Sequence, residues 1–255
     1  PWSRLRENAR IYYALHDRYQ RSYFDMQTLT NIQQLADEYL SSLGYPVAIP
    51  QRVMIGGEQE VPVYLELTKA NGAPAVWVLL AASCDKEAGI LDQFCFFSDT
   101  LTDNSTAAVF DDQTTHFSNE ELITKIFFGS TESPRFLLLI GMNQIALLDR
   151  NKWNEKRYLQ FELYDIFSRH EETTLQAMSV LLHKNSLCPD DGNILLDELD
   201  ENSQRHASGV SQDLKYALRE SIELLGNEVL YDLAHRQNRD FSADPVDASQ
   251  LTLEC

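Results

Sequence analysis

The run 150–157, which reads Arg-Asn-Lys-Trp-Asn-Glu-Lys-Arg, has the residue types of a nucleic-acid contact. Cationic side chains hold phosphates, and an exposed indole ring can stack on a base. The run falls in a predicted turn between two strands. The alternative is a surface hairpin whose long side chains lie along apolar neighbours. The candidate DNA-contacting residues are Arg150, Lys152, Trp153, Lys156 and Arg157.

Three other groups contain metal-binding residue types, but their spacing favours ordinary structure. His16-Asp17 lies on a predicted helix without a second histidine cluster, so it is interpreted as a surface pair. Asp190-Asp191-Gly192 lacks the alternating oxygen ligands of a calcium loop and is typical of a turn. The acidic run 197–201 is interpreted as the solvated first turn of a long helix. A metal site or a DNA-mimicking surface is the alternative for that run.

Motifs of the common enzyme classes are missing. The sequence contains no GxGxxG, P-loop, GxSxG or HExxH motif. Gly56-Gly57 is not followed by Lys-Ser or Lys-Thr, and we expect it to form a hairpin turn. The 4 cysteines are too widely spaced for a zinc knuckle, and we expect them to be reduced.

Charge restricts any nucleic-acid contact to a local patch. The chain of 255 residues carries 21 lysines and arginines against 39 acids, a net charge of −18, and such a surface repels phosphates. Residues 1–22 are an exception with a net charge of +3, since five arginines there outnumber Glu7 and Asp17 (5 − 2). Those arginines are Arg4, Arg6, Arg10, Arg18 and Arg21.

Neither a membrane span nor an export signal is indicated. Hydrophobic residues make up 44% of the chain, which is typical of globular proteins. No apolar run reaches the roughly 18 residues that a membrane span needs. The N-terminus has neither an initiator Met nor a signal peptide. We therefore expect a soluble fragment of cytoplasmic origin, without a membrane partner.

Hydrophobic periodicity predicts the elements that position these residues. Two helices come first, and the second stops at Gly44. The aromatic residues at 12, 13, 19, 23 and 24 are spaced for core packing. Strands are predicted at 47–55, 60–67, 75–82, 135–140, 144–148 and 158–163, and residues 93–97 are assigned to a short helix. Further helices are predicted at 118–128, 163–169 and 171–183, and an apolar stripe from 214 to 233 indicates a long helix.

The order of elements predicts an α/β or α+β fold, in which a mixed sheet is flanked by helices and followed by a helical appendage. One sheet should extend over about 47–163. Residues 76–82 should form its central strand, because the run Val-Trp-Val-Leu-Leu-Ala-Ala lacks polar alternation. Residues 99–115 read as a polar loop, and the tail lacks periodicity.

The stretch SPRFLLLIGMNQIALLDRNKWNEKRYLQFELYDIF at 133–167 resembles a strand pair in the N-terminal regions of type IIG restriction-modification enzymes and related phage-defence DNA methyltransferases. TLQAMSVLLHKNSLCP is similar to the helix that follows there, and SGVSQDLKYALRESIELLGNEVL to the long helix leading to the methyltransferase domain. The last residues, SQLTLEC, resemble the sequence that precedes that domain. The resemblance covers about half of the chain, from Pro134 onward.

The resemblance implies a restriction-endonuclease-like fold of the PD-(D/E)xK type. Its chemistry needs an acid on one strand and Glu-x-Lys on the next, so that two carboxylates hold Mg²⁺ and the lysine orients water. The corresponding strands would be 61–67 and 76–83, but Ala81, Ala82 and Ser83 stand where Glu and Lys should be. Glu66 and Lys69 are three residues apart and point to opposite faces of a strand. The nuclease motif is therefore absent, and no catalytic, cofactor-binding or metal-binding residue is assigned.

The first hypothesis is a non-catalytic scaffold and DNA-positioning region of a restriction-modification or phage-defence methyltransferase. Its predicted divisions are a nuclease-like domain at 1–185, a helical connector at 186–237 and a polar tail at 238–255 leading to a missing methyltransferase domain. The parent enzyme would be an adenine-specific DNA methyltransferase, with or without nuclease activity, using S-adenosylmethionine and Mg²⁺. Its partners would be DNA and proteins of a defence system.

Two alternatives remain open. The first is an active Mg²⁺-dependent nuclease whose acids come from elsewhere, such as Glu38, Glu66 and Asp85. The second is an acidic protein that mimics the charge of DNA and inhibits a DNA-binding enzyme.

Overall fold

The computed structural model describes residues 2–21, 24–57, 59–96, 118–129, 132–169 and 172–236. The helices are α1 (Trp2–Arg21), α2 (Met26–Ser42), α3 (Asn119–Phe128), α4 (Arg150–Trp153), α5 (Leu163–Ser168), α6 (Glu172–Leu181), α7 (Lys184–Leu187) and α8 (Leu195–Arg236). The strands are β1 (Gln51–Ile55), β2 (Gln59–Val63), β3 (Leu65–Thr68), β4 (Pro74–Ala82), β5 (Phe94–Cys95), β6 (Phe136–Ile140), β7 (Gln144–Asp149) and β8 (Tyr158–Glu162). The predicted mixed sheet flanked by helices is confirmed.

The main sheet is built around β4. The strand order is β3-β4-β6-β7-β8, and β5 pairs with the end of β4. β4 and β6 run parallel with Leu79 opposite Leu139, whereas the other neighbours are antiparallel. Parallel neighbours need a crossover connection, and α3 lies in the chain between these two strands.

Both faces of β4 are covered, as its continuous apolar sequence predicts. Every residue from Ala75 to Ala82 is buried. Val76, Val78 and Leu80 belong to a core shared with α1, α2, α5, α6 and α7. Trp77 and Leu79 belong to a second core shared with α3 and the β1–β2 hairpin. The predicted burial of both faces is confirmed, and β4 is an interior strand, second in the order after β3.

Both ends of α2 are determined by local sequence signals. In α2, the side chain of Asp25 accepts a hydrogen bond from the Thr28 amide at 2.9 Å and forms a capping box. This helix ends at Leu43, and Gly44 follows at a φ of +81°, a left-handed conformation that suits glycine. The predicted stop at Gly44 is therefore confirmed.

Two predicted strand boundaries are wrong, and so is the prediction of a single sheet. The strand predicted at 60–67 is two strands that break at Tyr64, whose amide donates to the carbonyl of Val78 at 2.8 Å. β2 pairs with β1 in a separate hairpin, so the region 47–163 holds two sheets rather than one. β1 begins only after Pro50, which has no amide hydrogen to donate.

Residues 93–97 do not form the expected short helix, since Phe94 and Cys95 are β5. These two residues pair with Ala82 and Ala81, which places them at the end of β4. Phe97 and the predicted loop at 99–115 lie outside the described residues.

The chain divides into two compact units, Pro1–Leu196 and Asp197–Cys255. Within the second unit α8 continues to Arg236, and the apolar side chains of Leu214, Leu218 and Leu225 are exposed. The predicted tail at 238–255 lies outside the described residues. None of the helices in the described ranges is both long and apolar enough to cross a membrane.

Candidate functional site

The basic run 150–157 begins as the short helix α4 rather than as an open turn. The side chain of Asp149 caps this helix by accepting from the Asn151 amide at 2.9 Å. The same carboxylate forms an ion pair with Arg135 at 3.2 Å, in which both side chains are largely buried. Arg150 donates to the carbonyl of Ser133 at 3.3 Å, so part of its guanidinium is used within the fold.

Trp153 is not a surface ring, which corrects the prediction that it could stack on a base. Its side chain is only 2% exposed and belongs to the second core. The indole nitrogen donates to the hydroxyl of Thr124 at 3.1 Å, and the ring packs edge-on against Phe127. The indole ring is therefore a structural contact between α4 and α3.

The exposed cations of this run have acidic neighbours. Lys156 forms an ion pair with Glu120, and its ammonium lies 4.7 Å from the centre of the Trp153 ring. Arg157 pairs with Glu155 at 2.9 Å, and Lys152 is half-buried. Exposed pairs of this kind are weak and exchange partners readily. The run can still meet a phosphate, but each contact competes with a carboxylate.

The arginines of α1 form the larger basic surface of the first unit. The buried residues of this helix lie on one face: Leu5, Asn8, Tyr12, Leu15 and Tyr19. All five arginines are exposed on the remaining surface, and we call them the arginine row: Arg4, Arg6, Arg10, Arg18 and Arg21. At 1.5 Å per residue, the row extends over about 25 Å.

Three members of the arginine row have no ionic partner among the described residues: Arg4, Arg10 and Arg18. Arg6 pairs with Glu172 at 3.1 Å, and Arg21 pairs with Asp17 at 3.6 Å. Both pairs are well exposed and therefore weak. Guanidinium groups present planar, two-pronged donors that match phosphate oxygens. This surface can therefore hold a line of phosphates.

The aromatic residues of the N-terminal region that were predicted to fill the core do not all do so. Tyr12 and Tyr19 are buried, but Tyr13 is only half-buried, and Phe24 packs at the edge of the first core. Tyr23 lies outside the described residues. The surface rings of Tyr13 and His16 meet Tyr164 of α5, which is 51% exposed. We call Tyr13, His16 and Tyr164 the aromatic platform.

The place where a nuclease would hold its metal ion lies on β3 and β4, which are hydrogen-bonded neighbours. Glu66 stands opposite Trp77, and its carboxylate accepts from the Trp77 indole at 2.8 Å and from Gln51 at 2.7 Å. Ala81 and Ala82 are buried at the other end of β4. Trp77 and Ala81 are four positions apart along the strand, which is about 13 Å.

The acids considered for an alternative metal site do not assemble with one another. Glu38 lies on α2 and Glu66 on β3, whereas Asp85 follows β4 and accepts from the Glu87 amide at 3.0 Å. Across the described ranges, no three His, Cys, Asp or Glu side chains lie close enough together to hold a metal ion. Glu38, Glu66 and Asp85 therefore do not form a three-ligand group for Mg²⁺.

Two open grooves beside the end of α2 share Tyr45 and Pro46, with volumes of about 350 and 420 Å³. In the first groove, the hydroxyl of Tyr64 donates to Asp37 at 2.5 Å. Burial and this bond raise the pKa of Tyr64. In the second groove, burial raises the pKa of the Cys188 thiol, which keeps it protonated. Neither arrangement activates a nucleophile.

Comparison of the chain with protein-family models, with curated proteins and with solved structures found no match. Sequence reasoning singled out the run 150–157 and noted the arginines at the N-terminus, but it missed the aromatic platform. Helical spacing could have indicated Tyr13, because it falls beside the buried stripe of α1 rather than within it.

Proposed function

We propose that this chain is a non-catalytic scaffold and DNA-positioning region of a restriction-modification or phage-defence DNA methyltransferase. The proposal includes a restriction-endonuclease-like sheet that has lost its metal ligands and a helical appendage leading towards the methyltransferase domain. The parent enzyme would be an adenine-specific methyltransferase that uses S-adenosylmethionine. Proteins of the same defence system are the further partners proposed.

The arrangement of β3 and β4 supports the nuclease-like part of the proposal. An acid on one strand and Glu-x-Lys on the next can share Mg²⁺ only where the two strands are neighbours. β3 and β4 are antiparallel neighbours, and β3 carries Glu66. Buried alanines stand at the positions of β4 that the resemblance aligns with the other ligands, and Glu66 lies opposite Trp77 rather than beside them. A sheet of this kind can keep its shape without cutting DNA.

The arginine row is the observation that carries the DNA-positioning role. Phosphate contacts orient a protein on DNA without reading its sequence. Arg4, Arg10 and Arg18 have no ionic partner within the described ranges, so a phosphate need not displace a carboxylate to reach them. On a chain with a net charge of −18, such a local surface favours an orientation in which DNA approaches α1.

Salt-dependent binding of duplex DNA tests this role. The logarithm of affinity falls with the logarithm of salt concentration by about 0.9 per phosphate contact. Arg4→Gln, Arg10→Gln and Arg18→Gln together should therefore flatten the slope by about 3 and weaken binding to all sequences alike. Fluorescence anisotropy between about 50 and 200 mM salt measures both quantities.

A matched control is Arg205→Gln, Lys215→Gln and Arg219→Gln on α8, which changes the net charge by the same amount. This control should keep the slope of the unmodified protein. A second set, with Arg150, Lys152, Lys156 and Arg157 all changed to Gln, measures what the run 150–157 contributes. Absence of DNA binding at low salt by the folded protein would contradict the proposal, as would equal slopes for the α1 and α8 sets.

A further inference from the structure

We infer that the aromatic platform binds unstacked bases of single-stranded DNA, while the neighbouring arginine row holds the phosphates. The inference rests on the proposed function and makes it narrower, because it names the form of DNA that this surface prefers. It is carried by the position of three surface rings, two of them on α1 and one on α5, beside Arg10 of α1.

The platform is built from two elements that lie far apart in sequence. The ring centres of His16 and Tyr164 are 5.3 Å apart, and those of Tyr13 and Tyr164 are 6.4 Å apart. Tyr12 lies beneath them, 5.5 Å from Tyr13 and 5.4 Å from His16, and is itself buried against Phe167. The rings of Tyr13 and Tyr164 meet edge-on at 85°, and those of His16 and Tyr164 are tilted by 35°, so the three rings form a packed cluster rather than one flat surface.

The rings remain accessible although the core beside them is complete. Tyr164 is 51% exposed, and Tyr13 and His16 are half-buried. A large apolar ring held half in water gains free energy when another flat ring covers it. Burial lowers the pKa of His16, which keeps its imidazole neutral at neutral pH and suited to stacking on a base. Gln20 contacts the same imidazole at 3.3 Å and helps to hold its orientation.

Phosphate binding is available one helical turn away. Arg10 precedes Tyr13 by three residues, so their Cβ atoms lie about 5–6 Å apart on the surface of α1. Arg10 has no ionic partner among the described residues. The nearby acids are engaged elsewhere, since Asp17 pairs with Arg21 and Asp165 with Arg169. Two further acids lie near: Glu162 accepts from Gln144 and Gln160, and Glu7 stands exposed three residues before Arg10. A nucleotide stacked on Tyr13 can place its phosphate against Arg10, in competition with Glu7.

These features select single-stranded DNA over duplex DNA. In a duplex the faces of the bases are stacked on one another, so a platform on a protein surface cannot reach them. Binding of single strands combines a basic surface with aromatic rings, and it tolerates any base because every base has a flat face. The arginine row alone would bind both forms, whereas the platform adds affinity only for the unpaired form.

The test compares ring removal with ring conservation. Tyr13→Leu with Tyr164→Leu should weaken binding of a labelled 20-nucleotide single strand by about fivefold to a hundredfold for each base that stacks. Binding of the matching duplex should stay within about twofold. Tyr13→Phe with Tyr164→Phe keeps the rings and should preserve both affinities. Unfolding in urea checks that the leucine variant is as stable as the phenylalanine variant.

The possible results separate this inference from the proposed function. If the leucine and phenylalanine variants bind the single strand equally while Arg10→Gln weakens duplex binding, the platform is excluded and the DNA-positioning role stands. If the unmodified protein binds neither form of DNA, both proposals are excluded. An RNA strand of the same sequence is the third probe. Tighter binding to RNA, lost in the leucine variant, would overturn the assignment to DNA.

Discussion

His183 performs a backbone role that depends on its protonation state. It is the N-cap residue of α7, and its Nδ1 atom accepts from the amide of Asn185 at 3.2 Å. Its ring also fills the space above Gly44, where an added Cβ atom would lie 3.0 Å from the Nε2 atom. Protonation would turn the Nδ1 acceptor into a donor, which removes the cap. This cap therefore requires the neutral ring.

A pH-dependent loss of stability follows from this role. Burial is the main cause that lowers the pKa of His183 in the folded protein below 6.5, and nearby positive charges, including that of Lys184, add to the effect. As the pH falls below about 6.5, the unfolded chain binds the proton first, so the free energy of unfolding decreases until the pH passes the folded pKa. His183→Asn keeps a capping oxygen and should make urea unfolding less dependent on pH between 7.5 and 5.5.

The matched substitution is His206→Asn on the exposed surface of α8. This variant should show the same pH dependence as the unmodified protein. His16, whose pKa is also lowered by burial, contributes in both variants and accounts for the dependence that remains. Identical pH profiles for all three proteins would show that His183 does not control the change.

At the scale of elements, β4 has the largest structural role, and substitutions within it should be the most damaging. Leu79 is fully buried in the second core and pairs with Leu139 of β6. Leu79→Asp places an unpaired charge there, which costs several kcal/mol, so we expect no soluble folded protein. Leu79→Ala should cost about 2–5 kcal/mol. Yield and circular dichroism measure the first variant, and urea unfolding the second.

Leu159→Asp on the edge strand β8 makes the same chemical change where the side chain is 40% exposed. A carboxylate there keeps its water, so the variant should fold with a loss of less than about 1 kcal/mol. A normally stable Leu79→Asp protein, or equal losses at the two positions, would contradict the central position of β4.

Elements specified by their own residues could be predicted from the sequence, whereas features that need distant contacts could not. The apolar run of β4 and the stop at Gly44 are local signals, and both predictions are confirmed. Trp153 lies in a polar, basic run that looks exposed, but Thr124 and Phe127 of α3 bury it. No local signal in the run indicates those partners.

The arginine row and the aromatic platform show the same difference between local signals and distant contacts. The five arginines of α1 were visible in the sequence because charge composition is local information. The aromatic platform was not, since Tyr13 and Tyr164 are far apart in the chain and meet only when α5 packs beside α1. The break at Tyr64 has a similar cause, since the amide of Tyr64 bonds to β4 and its hydroxyl bonds to Asp37 of α2.

At the scale of the whole molecule, electrostatics and the position of the acids both argue against phosphodiester cleavage. The net charge of −18 lowers the local concentration of DNA except near basic surfaces. Mg²⁺ prefers oxygen ligands from one or two carboxylates together with phosphate oxygens. Acidic residues are abundant, but abundance does not create a site unless two of them converge beside a place where DNA can lie.

We therefore expect that the purified chain does not nick supercoiled DNA with Mg²⁺ or Mn²⁺, measured by gel electrophoresis over hours. Glu66 is the best remaining ligand, yet its oxygens already accept hydrogen bonds from Trp77 and Gln51. A metal ion would have to displace these donors, and Ala81 and Ala82 offer it no second ligand. Glu66→Ala is the decisive variant. Nicking that disappears in this variant would show that Glu66 is catalytic and would replace the scaffold proposal with an active nuclease. Nicking that persists through repurification would assign the activity to other acids of the chain and would contradict the scaffold proposal as well.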